Sequence, residues 1–67
     1  MEPDFAFEMF NVTKTIVRPL TQRALDWLNA NSFGTPLSEG RVMIETNQAQ
    51  VLIVIMHEEG FELINAN

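Results

Sequence analysis

The chain of 67 residues contains no cysteine, and histidine and tryptophan occur once each. The first absence excludes a disulfide framework, and one histidine cannot anchor a typical zinc site. Two of the usual staples of a small domain are therefore closed, leaving packing and oligomerisation. A secreted domain of this size would usually carry disulfides, so the expected location is cytoplasmic.

Basic residues are also scarce, with four against nine acids and a net charge of -5. Nonspecific binding to nucleic acid or to an anionic membrane needs basic patches, so neither is an expected partner. The opening Met-Glu-Pro-Asp has no basic n-region and no apolar h-region, which gives no expectation of a secretory signal. The longest apolar run is far below the ~20 residues of a membrane span. A Gly-rich phosphate loop, a nucleophile elbow, a Cys–His pair and an EF-hand loop are all missing, so no enzyme activity, cofactor or metal is expected.

What is present argues for a core. Apolar residues make up 46% of the chain and include five Phe, where a disordered chain would be poor in aromatics. One domain is expected over residues 1–67. A domain this small buries only about 60% of the surface its unfolded chain exposes, which leaves it marginally stable.

Phe5, Phe7 and Met9 alternate with Ala6 and Glu8 at the period of a half-buried strand. The parity then slips, which predicts a bulge or strand end near Met9 to Asn11, and β-branched residues continue through Val17. Pro19 suits the first turn of a helix, and Leu20, Ala24, Trp27 and Leu28 form its apolar stripe, ending near Asn31. Residues 32–40 read as a loop carrying Phe33, a candidate exposed aromatic, and Arg41 to Glu45 as a short strand.

The run Val51-Leu52-Ile53-Val54-Ile55-Met56 decides the rest. As a helix over 47–59 it is capped by Thr46 or Asn47, with Gln50 in the capping-box position. Gly60 then takes the left-handed position after the helix, and Phe61 makes the apolar contact of a Schellman motif with Met56. As a strand, the run would form a hairpin with residues 42–45 through a turn at 46–48. Phe61 to Ile64 closes the chain as a strand in both cases. The expected class is α+β, a β-α-β-α-β order with a three-stranded sheet and two helices. The alternative is β-α-β-β-β with a C-terminal meander.

In either reading the run has two apolar faces, and so short a chain has few residues left to cover the second. This predicts a homodimer whose interface centres on Val51, Val54 and Ile55, and a function as a small acidic protein-interaction module with a protein partner. Size and acidity resemble those of many short open reading frames of phages and mobile elements, whose products include adaptors and inhibitors; no motif lies behind that likeness. The alternative function is a small anion- or ligand-binding domain. It would use Lys14, Arg18 and Arg23, the basic residues of the strand-to-helix junction. His57-Glu58-Glu59 is the densest titratable cluster, but neighbours on a helix point about 100° apart, so the three do not converge.

Overall fold

In the computed structural model, which describes residues 2–65, the alternating segment at the start is a hairpin. Strands β1 (Phe5–Met9) and β2 (Lys14–Pro19) pair antiparallel, with Phe7 opposite Val17. The side-chain Oδ1 of Asn11 makes the turn, accepting hydrogen bonds from the backbone N–H of Thr13 (2.9 Å) and Lys14 (2.8 Å). An Asx turn of this kind explains the parity slip, which marks the end of one strand and the start of another.

Helix α1 (Gln22–Asn31) follows, then β3 (Thr35–Pro36), a 3₁₀ turn at Ser38–Gly40, β4 (Val42–Glu45), α2 (Thr46–Glu58) and β5 (Leu63–Asn65). The described residues thus form a five-stranded sheet of order β3-β4-β2-β1-β5, not a three-stranded one. The two extra strands come from the hairpin and from β3, which lies inside the segment expected to be loop and pairs antiparallel with β4. The class, small α+β with two helices, is as expected, and the hairpin alternative for the apolar run is replaced by α2.

Both helices pack on one side of the sheet, and the topology accounts for it. β2 and β3 are parallel, as are β4 and β5, so α1 and α2 are crossover helices. The crossover through α1 moves towards the β3 edge and that through α2 towards the β5 edge, along oppositely directed strands. Reversing both directions preserves handedness only if the helices share a face. That face carries the core: Phe5, Phe7, Val17, Val42 and Ile44 from the sheet, Ala24 and Leu28 from α1, Leu52 and Met56 from α2, and Phe61.

Pro19 ends β2 opposite Phe5 instead of opening the helix. Thr21 is the cap, its hydroxyl accepting from the N–H of Ala24 (3.2 Å) and donating to the buried carboxylate of Asp4 (2.8 Å). Leu20 therefore precedes the helix and is 39% exposed rather than on the inward stripe. Trp27 is half-buried against that cluster, edge-on to Phe5 and Phe61. Phe33 tucks against Trp27 with ring centroids 5.3 Å apart, so the loop aromatic is not displayed to solvent.

Among the described residues no helix packs on the other side of the sheet. That side presents Ala6, Glu8, Lys14, Ile16, Arg18, Met43 and Glu45, alternating with the core positions. Ala6 and Ile16 are buried even so. Arg18 stands opposite Ala6 and Glu8 opposite Ile16, and the Arg18–Glu8 ion pair runs diagonally over that cross-strand square.

Candidate interaction surface

Four of the six residues from Val51 to Met56 in α2 are β-branched and lose side-chain freedom in helices, so local propensity alone does not explain the helix there. Its ends and its inner face do. Phe61 N–H donates to the carbonyl of Met56 and Gly60 N–H to that of His57, both at 3.0 Å, with Gly60 at φ +86°. These two bonds are the Schellman pair, and Met56 and Phe61 are both buried in the same cluster. The N-terminus differs from expectation. The helix begins at Thr46 with Glu45 in the cap position and no side-chain cap, and the Thr46 hydroxyl lies 3.0 Å from that of Thr15 instead.

At 100° per residue, Ala49, Leu52 and Met56 face the sheet, and Ile53 sits at the flank. Val51, Val54 and Ile55 point the opposite way and are 62%, 57% and 36% exposed. The Phe33 loop borders this face only at Val51, which shares a groove with Phe33 and Gly34, and leaves the stripe exposed. Glu58 and Asn47 extend the same outward stripe towards its two ends, both exposed.

The three basic residues of the strand-to-helix junction lie apart. Lys14 and Arg18 share the open sheet face at opposite ends of β2, and Arg23 is on α1. Lys14 Nζ is 2.5 Å from Glu45 Oε1, and Arg18 pairs with Glu8. Arg23 stacks over the Phe61 ring at 4.3 Å, donates to the carbonyl of Gly60 (3.0 Å) and reaches Asp4 at 3.5 Å. Each cation already faces a carboxylate.

Asp4 is a junction that sequence reasoning did not single out. Its carboxylate accepts from Glu62 N–H (3.0 Å), the Thr21 hydroxyl and Arg23, tying the start of the chain to α1 and to the segment before β5. The Glu62 backbone bond is the largest influence holding its pKa below the ordinary value, followed by the Thr21 bond; burial opposes them and the Arg23 charge assists. The only sequence signal was an acid beside Pro3, too common to be read.

His57 lines an apolar groove of about 370 Å³ between α2 and the β1–β5 edge, with Phe7, Met9, Ile53 and Leu63 on its walls. Among the described residues no three His, Cys, Asp or Glu side chains are placed to hold a metal ion, and no helix is long and apolar enough to cross a membrane. No family model, curated protein or solved structure matches the chain.

Proposed function

We propose that this is a small acidic protein-interaction module that self-associates through the outer face of α2 and acts as an adaptor or inhibitor. The observation that supports it is the exposure of Val51, Val54 and Ile55 together on one helical stripe, at spacings i, i+3 and i+4. Single exposed apolar residues are ordinary on a protein surface, whereas a contiguous group on a regular element is what interfaces are made of. Full burial of a Val or Ile contributes about 1.5–3 kcal/mol, and with roughly half of each still exposed the remainder is about 1 kcal/mol per side chain. Doubled by symmetry this is about 6 kcal/mol from these side chains alone, against which stands the entropic cost of association, so any pairing through this face is weak.

Sedimentation velocity across tens of micromolar to about 1 mM tests the reading. The wild type is expected to shift from monomer to dimer with concentration, and Val54→Glu to remain a folded monomer with unchanged circular dichroism. A wild type that is monomeric throughout that range refutes self-association. A Val54→Glu variant that unfolds shows the face to be internal.

A further inference from the structure

We infer that the occupant of this face is α2 of a second copy, running antiparallel about a two-fold axis that passes between the two helices at the level midway between Leu52 and Ile53; this rests on the self-association reading above. The first argument is geometric. Val51 and Val54 lie equally far from that midpoint, and so do Asn47 and Glu58, so the rotation exchanges the levels within each pair along the helix. Val51, Val54, Ile55 and Glu58 stand at i, i+3, i+4 and i+7, the four corners of a hole into which a facing helix inserts one side chain. The rotation carries Val51 of the second copy to the level of Val54, over the middle of that hole. Each copy supplies one knob and one hole, and the contact closes without exposing a further apolar face.

The second argument is charge. Glu58 and Glu59 close α2 and Glu62 follows, all exposed, and all four cations of the chain are already bonded, Arg41 to Ser38. A parallel pairing would set these acids beside their own copies. An antiparallel pairing separates them and brings each Glu58 to the other copy's Asn47, in the first turn of α2. That turn has no acidic residue; its cap residue Glu45 makes no side-chain hydrogen bond to it and is turned to Lys14, and with Thr46 N–H donating to the carbonyl of Thr13 the next N–H groups of the turn and its positive dipole end are what a carboxylate would meet. A foreign helix would not carry the matching pair of ends by symmetry.

Because the chain has no cysteine, Asn47→Cys and Glu58→Cys each introduce a single thiol. In the antiparallel register two copies of residue 47 are about 16 Å apart along the helix, beyond the about 7 Å a disulfide can span between Cα atoms. Oxidation of a mixture of the two single variants should therefore give the mixed cross-linked dimer, and either variant alone should not. Glu58→Gln should weaken self-association roughly 3-fold or more, whereas in a parallel pair it would tighten it by removing the repulsion between the two Glu58 carboxylates. Cross-linking of either variant alone, with tighter association in Glu58→Gln, overturns the antiparallel register and leaves self-association standing. A wild type that dimerises without any cross-link in the mixture and without sensitivity to Val54→Glu assigns the dimer to another surface and overturns the inference. A monomeric wild type overturns both readings.

Discussion

Two glycines with left-handed backbone separate conformational strain from steric clash. Gly34 has φ +56° and Gly60 has φ +86°. An ideal Cβ at Gly60 meets nothing within 4 Å, while one at Gly34 would lie 2.3 Å from the carbonyl oxygen of Met43 and 2.8 Å from Cγ2 of Ile44. A left-handed conformation costs a non-glycine residue about 1–2 kcal/mol. Gly60→Ala should therefore lose about that much and nothing more, and Gly60→Asn less, since Asn tolerates the region better. Gly34→Ala adds overpacking, typically about 1–3 kcal/mol, against backbone that cannot move freely because Met43 pairs with both Thr35 and Ile16. Its total of about 2–5 kcal/mol is a large part of the whole stability expected at about 0.05–0.15 kcal/mol per residue. Urea denaturation followed by the emission of the single tryptophan measures both variants, with unchanged m-values showing that the unfolded reference is the same. Equal losses in Gly34→Ala and Gly60→Ala would refute the reasoning, because the loop would then have shifted to relieve the clash.

Asp4 predicts an acid limb of stability. Its folded pKa lies below the ordinary 3.8, so its contribution is present above that value and is lost as pH falls from about 5 through 3.8 and on through the lower folded value. Melting temperature against pH should show this fall, and Asp4→Asn should be less stable at neutral pH with a flatter acid limb. Trp27, half-buried beside Phe5, Phe33 and Phe61, should emit to the blue of free indole and move red on unfolding, and a native emission like that of indole in water would contradict its place in the fold. Met56→Ala, which empties a fully buried position, should cost about 2–5 kcal/mol in the same urea assay. Inorganic phosphate should leave the melting temperature unchanged, since Lys14, Arg18 and Arg23 each face a carboxylate; a saturable rise would revive the anion-binding alternative.

The helix α2 was legible because its stop signal is local chemistry: Gly60 followed by Phe61 states a Schellman end in two residues. Its uncovered face was legible by counting layers, since six apolar residues in a row cannot all face one core. The hairpin was not, because its turn has no glycine and relies on one Asn11 side chain, and the alternation on either side of it resembles a single interrupted strand. Pro19 misled because proline fits both the end of a strand and the first turn of a helix. The decision lay with Thr21, whose partner Asp4 is remote in sequence. The basic cluster looked coherent along the chain because adjacency says nothing of faces: the register of β2 sends Lys14 and Arg18 to the open side of the sheet while Arg23 rides on a helix. β3 could not have been found, as two residues carry no periodicity.

The borders of the sheet bear on how this molecule can meet others. One outer strand is two residues long and includes Pro36, which has no N–H to offer, and the other is three residues among those described. A sheet grows sideways by lending unpaired backbone groups to a neighbour, and these edges have little to lend. A chain nearly half apolar is thereby steered away from strand-to-strand stacking, the route to fibres. Side chains, not a generic backbone ladder, are what such a surface has to offer, and there a match of shapes decides what stays bound.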